Sequence, residues 1–99
     1  MIITGGENVY CAGVENALSA HPAIAELAVI GAPHERWGET PVAVAVLAPG
    51  AFLTLDELRE WGTGRLARYK LPTVLHVVEA LPRNASGKVM KTALRREYR

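Results

Sequence analysis

Cysteine, aromatic rings and long apolar runs are all scarce in this chain of 99 residues, and each scarcity removes a class of function. A single cysteine, Cys11, excludes an internal disulfide. It suits a reducing compartment, so a cytoplasmic location is expected. No neighbouring residue in the sequence pairs with Cys11 as a general base, and it reads as a small apolar filler. The apolar run from Val42 to Ala48 stops at Pro49-Gly50, too short to cross a bilayer as a helix, and no transmembrane segment is expected. The N-terminus lacks the basic and apolar regions of a signal peptide, which leaves the Asn84-Ala85-Ser86 sequon without meaning. His21, His34 and His76 are too scattered for a metal site, and no metal is expected. Aromatic residues make up only 6% of the chain, and Tyr98 alone accompanies the basic C-terminal segment. Nucleic-acid binding through interleaved rings and cations is therefore not expected.

What is present is half hydrophobic (49%) and one-fifth charged (21%), the balance of a globular domain. The formal net charge of +1 hides an asymmetry. Met1 to Glu60 carries eight acids and two bases, whereas Arg83 to Arg99 carries six bases and one acid, Glu97. Such a basic tail on an acidic body attracts an anion or an acidic surface, or simply forms a solvated helix face.

Without repeats or a linker, residues 1–99 form one domain. Ile2-Ile3-Thr4 is a short β-prone stub closed by Gly5-Gly6, a pair that permits either a plain hairpin turn or close ligand approach to the backbone. Val14, Ala17 and Leu18 follow helical spacing up to His21-Pro22. Ile24 to Ile30 reads as a strand, 32–41 as a polar loop, and Val42 to Leu47 as a buried strand. Thr54-Leu55-Asp56-Glu57 is a capping box opening a helix that buries Leu55, Leu58, Trp61 and Leu66, weakened by Gly62 and Gly64. Tyr69, at its end, reads as core packing. A strand from Val74 to Val78 and a short final helix with Met90, Leu94 and Tyr98 on one face complete the chain. The order implies an α+β fold, a small three-stranded sheet covered by helices.

Lys88 is the side chain for which a specific chemical task can be argued, because a Gly-containing turn presents it just after an apolar strand; from its neighbours alone it reads equally as a solvated lysine in a turn. The turn is not a phosphate-binding P-loop. The position that would need the first glycine is Pro82, and Val89 stands where a metal-binding hydroxyl is required.

In order along the chain, Met1-Ile2-Ile3-Thr4-Gly5-Gly6-Glu7-Asn8-Val9-Tyr10 with Val14-Glu15, Gly38-Glu39, Leu66 to Pro72, and Pro82-Arg83-Asn84-Ala85-Ser86-Gly87-Lys88 with Leu94-Arg95 resemble the C-terminal domain of AMP-forming acyl-CoA synthetases. These are adenylate-forming enzymes, related to luciferases and nonribosomal peptide adenylation domains. The wording is most like the fatty-acyl-CoA ligases. The resemblance implies that Lys88 is the adenylation lysine, presented by the turn of Pro82, Asn84 and Gly87. It implies that Gly5, Gly6, Glu7 and Asn8 form the loop lining the pantetheine path of CoA during thioester formation. It further implies a mobile domain that rotates between the two steps, with Mg-bound ATP, CoA and a carboxylic acid as substrates. The ATP- and acyl-binding N-terminal domain would be its partner and lies outside this chain, so the 99 residues alone are expected to be inactive and to bind no cofactor. Arg68, Lys70 and Arg83 are candidates for CoA phosphates or for the partner domain. The chain departs from the family pattern at Cys11, where proline is usual, at Gly13, where glutamate is, and at His34, where an acid is common. Two alternatives remain: the same domain in a nonribosomal adenylation protein that delivers to a carrier protein, or a stand-alone anion-binding module.

Overall fold

The computed structural model describes residues 1–98 and confirms the α+β class. The strands are β1 (Ile2–Thr4), β2 (Glu7–Val9), β3 (Ile24–His34), β4 (Gly38–Leu47) and β5 (Val74–Val77); the helices are α1 (Cys11–Leu18), α2 (Leu55–Gly62) and α3 (Lys91–Tyr98). A 3-10 turn covers Arg68–Lys70.

The sheet has five strands where three were expected. The N-terminal stub is the first arm of a hairpin: β1 pairs antiparallel with β2 and joins the main sheet through the single pair Thr4↔Gly38. The expected loop over 32–41 is mostly strand as well. β3 and β4 run antiparallel from Ile24↔Leu47 out to His34↔Gly38, leaving only residues 35–37 as the turn. Ala32, Thr40 and Pro41 are buried at the base of this ribbon, and only residues 33–39 leave the core, where backbone pairing needs no apolar alternation. β5 returns parallel to β4 after the crossover through α2, as parallel neighbours require.

Alternating side chains of the central strands divide the core in two. Val29 and Ala43 face a cluster with Val14 and Leu18 of α1 and Leu58 of α2. Ala28, Ile30, Val42 and Val44 face the opposite cluster with Leu81, which precedes the Lys88 turn, and with Leu94 of α3. Helices therefore cover both faces of the sheet. The capping box forms: Thr54 Oγ1 accepts from the Glu57 N–H at 3.2 Å, and Glu57 Oε1 accepts from the Thr54 N–H at 3.0 Å. α2 is shorter than the apolar spacing implied, because it stops at Gly62, and Leu66 follows outside it. Tyr69 is consequently not core: it stands exposed on the 3-10 turn.

Candidate functional site

Lys88 stands on a tight β-turn whose ends are pinned by Arg83 pairing with Val89. The Asn84 N–H donates to the Lys88 carbonyl at 2.9 Å, and the Gly87 N–H donates to the Asn84 carbonyl at 2.9 Å. Asn84 also folds back over the turn. Its Oδ1 accepts from the backbone N–H groups of Ser86 (2.9 Å) and Lys88 (3.0 Å), the local bonding for which asparagine is favoured in turns. Gly87 takes φ +82°, a left-handed value costly for other residues. Pro82 contributes its carbonyl, which accepts from the Met90 N–H at 2.8 Å. Arg83 closes the structure from outside: it donates to the Gly87 carbonyl at 2.7 Å and pairs with Glu26 of β3. The turn residues named from the sequence thus act together. Lys88 is left exposed, with no ion-pair partner among the described residues.

Gly5-Gly6 forms the two-residue connection between Thr4 and Glu7. Both glycines have positive φ (54° and 83°), the combination a type I′ hairpin demands. The Gly5 N–H donates to the Trp37 carbonyl at 2.9 Å, tying this hairpin to the β3–β4 turn. That turn is ordered by His34, whose Nδ1 accepts from the Arg36 and Trp37 N–H groups at 3.1 and 3.3 Å. The His34 ring stacks on Trp37 with centroids 4.4 Å apart. Beside the hairpin lies a groove lined by Gly5, Glu7, Trp37, Arg59, Arg68 and Tyr69, among others. Asn8 is exposed and pairs with Ile3 in the hairpin.

Charge in this groove is unevenly committed. Arg59 donates to the Pro72 carbonyl at 2.5 Å and the Leu71 carbonyl at 3.5 Å, so it braces the chain. Arg68 is exposed beside Tyr69, while Arg83 belongs to the Lys88 turn and not to the groove. Trp37 and Tyr69 were not picked out from the sequence as site residues. Nothing local marks either one, and only the approach of the 3-10 turn to the β3–β4 turn brings them together. Lys88 lines a different concavity, with Asn84, Leu27 and Glu15, that shares no residue with the groove. The structure therefore separates the two candidate loops. Among the described residues no group of His, Cys, Asp and Glu is placed to hold a metal ion.

Residues 13–88 match the model of the AMP-binding enzyme C-terminal domain. Over 98 residues the chain is 47% identical to a long-chain-fatty-acid–CoA ligase of Mycobacterium tuberculosis, covering 99% of this chain and 19% of that protein. It is 43% identical over 97 residues to the fatty acid–[acyl-carrier-protein] ligase ScoC of Streptomyces coeruleorubidus, covering 98% of this chain and 19% of that one. The crystal structure of ATP-bound MatB from Rhodopseudomonas palustris superposes with a TM-score of 0.94 at 41% identity, covering 99% of this chain and 20% of that one. The chain thus spans about a fifth of the length of the proteins it resembles. With that coverage and with the motifs folded as described, this chain belongs to the family of AMP-binding enzyme C-terminal domains.

Proposed function

We propose that this domain serves an AMP-forming acyl-CoA synthetase of the fatty-acid–CoA ligase type, in the cytoplasm, and supplies one loop to each of two half-reactions. In the first, a carboxylate oxygen of the acid attacks the α-phosphorus of Mg-bound ATP, and the bond to the departing pyrophosphate breaks. Two anions must meet, and the ammonium of Lys88 offsets their repulsion and the charge that develops in a partly dehydrated site. A lysine suits this task as a compact charge on a long stem, and its turn is held by Asn84 and Arg83. In the second, the CoA sulfur attacks the acyl carbon of the adenylate, the thiol proton is lost, and AMP departs. Gly5 and Gly6, with Glu7 and Asn8, line the pantetheine path, and Arg68 beside Tyr69 offers a cation for the phosphates of CoA. ATP, magnesium and the acid are held by the N-terminal adenylating domain.

The observation that carries this reading is the exposed Lys88 without an ion-pair partner on a turn fixed by its own hydrogen bonds, at a concavity separate from the Gly-Gly groove. In the intact ligase, Lys88→Ala is expected to slow adenylation by about two orders of magnitude or more. Thioester formation from supplied acyl-adenylate should be largely spared. Equal loss in both half-reactions would refute the assignment. A carrier-protein thiol as the acceptor is the second reading, supported by the likeness to ScoC. Acyl transfer to free CoA measured against transfer to a carrier protein separates the two.

A further inference from the structure

Among the described residues β3 is the outer strand of the sheet, pairing only with β4, so half of its backbone groups face away from any neighbouring strand. At Val29, which is fully buried, those groups are met by side chains rather than by another strand. The Val29 N–H donates to Glu15 Oε2 of α1 at 2.7 Å, and the Val29 carbonyl accepts from Lys91 Nζ of α3 at 3.1 Å. The same Glu15 oxygen and Lys91 nitrogen lie 2.7 Å apart. Because α1 and α3 cover opposite faces of the sheet, this pair wraps around its edge and fastens both helices to one residue, through the two peptide groups that flank Val29. The two side chains are 20% and 29% exposed, so the pair is partly buried and is screened less than an ion pair on the open surface.

Lys91 is the first residue of α3, three positions after Lys88. Glu15, Asn84, Lys88 and Lys91 line one concavity. On the other side of the turn Arg83 reaches Glu26, also on β3. The Lys88 turn is thus seated on the β3 edge at two points, and only the Lys91 point uses the backbone of the strand. Backbone geometry also fixes the polarity of that point: the acid must face the N–H and the cation must face the carbonyl. A bare ion pair carries no such order.

We propose that Glu15 and Lys91 are positioning residues for Lys88, setting where its ammonium stands during adenylation. This inference rests on the role proposed above for Lys88. A catalytic charge held loosely by as little as an ångström loses on the order of ten- to a hundredfold in rate. The test uses the intact ligase, with adenylation measured by pyrophosphate exchange and thioester formation measured from supplied acyl-adenylate. Lys91→Met, which keeps the stem and removes the donor, is expected to lower adenylation about tenfold while leaving thioester formation nearly unchanged. Glu15→Gln, which keeps an acceptor for the Val29 N–H, should show a smaller loss with the same selectivity, and it carries the test if Lys91→Met does not fold. Lys91→Arg should recover most of the rate. The exchanged pair Glu15→Lys with Lys91→Glu should not, since a carboxylate cannot donate to the Val29 carbonyl. Unchanged adenylation in both single variants, equal loss in both half-reactions, or full recovery in the exchanged pair would each overturn the proposal. Lys88→Ala run alongside separates the two levels: if it leaves adenylation intact, the reading of Lys88 itself fails. If Lys88→Ala abolishes adenylation while Lys91→Met does not lower it, the positioning role alone fails.

Discussion

Substitution of Gly6 separates what the hairpin costs the fold from the role proposed for it in thioester formation. Its φ of +83° lies in the left-handed region, and a β-carbon built there meets no heavy atom within 4 Å. Within the domain, a side chain at this position is therefore penalised by backbone strain and not by a clash. For valine that strain is about 1–2 kcal/mol, and for asparagine, which tolerates left-handed backbone, it is smaller. A domain of this size loses about 4–8 °C of Tm for each kcal/mol, so Gly6→Val should lower the midpoint clearly and Gly6→Asn only slightly. Thermal unfolding followed by far-ultraviolet circular dichroism reads this directly. Function should respond differently. Because no described heavy atom beyond the chain neighbours lies within 4 Å of that β-carbon, the steric interference expected in catalysis comes from a ligand or another domain brought against the hairpin. Both variants, including the nearly stable Gly6→Asn, should slow thioester formation by about tenfold or more and change adenylation much less. Normal thioester formation in both variants would refute the pantetheine role of the hairpin. A parallel fall of adenylation and thioester formation would refute the division of labour.

Two further substitutions probe the supports of the site. A β-carbon at Gly62 would stand 2.4 Å from Leu71 Cδ2 and 3.2 Å from Leu18 Cδ2. Overpacking of about 1–3 kcal/mol should outweigh the helix propensity of about 1 kcal/mol gained, so Gly62→Ala should lower Tm, and a rise would contradict the packing. At His34, whose Nδ1 accepts two backbone N–H groups, His34→Asp keeps an acceptor and should hold the β3–β4 turn. His34→Ala should lose about 1 kcal/mol, and identical Tm values for the two variants would show that the acceptor does not matter.

How much of this was legible in the sequence depended on how far each contact reaches. The capping box at Thr54 and Glu57 uses groups three residues apart, and it formed as read. The Lys88 turn was equally local, since Asn84 and Gly87 supply its bonds and its left-handed backbone. β1 and β2 were legible only as a stub with a turn, because three residues are too few to display a two-residue period. Their place in the sheet comes from Thr4 reaching Gly38. The polar ends of β3 and β4 were hidden for a related reason: outside the core, strand pairing is held by backbone bonds and leaves little trace in side-chain type. Tyr69 was misplaced because the apolar spacing ran past Gly62, where the backbone had already left the helix. The roles of Lys88 and Gly5-Gly6 rested on family resemblance, and the groove with Trp37, Arg68 and Tyr69 required the folded chain.

The manner in which the two loops are held constrains how they can serve two steps. Each is a tight hairpin closed by backbone bonds and positive-φ glycine, and each is anchored to the sheet: Gly5 through the Trp37 carbonyl, and the Lys88 turn through Arg83 with Glu26 and through Lys91 with Val29. Neither is a long flexible segment of the kind that closes over a ligand by itself. They also border separate concavities. A single reaction centre on another domain cannot receive both loops at once unless that centre spans the distance between them. If Lys88 and Gly6 act at the same acyl carbon and adenylate, the change between steps must be a rotation of this whole domain, with its internal contacts preserved. A disulfide that locks the domain against its partner with Lys88 at the centre should then permit adenylation and block thioester formation, and reduction should restore the second step. Full turnover in the locked enzyme would require one of the two anchored loops to move independently, against the bonds that hold it.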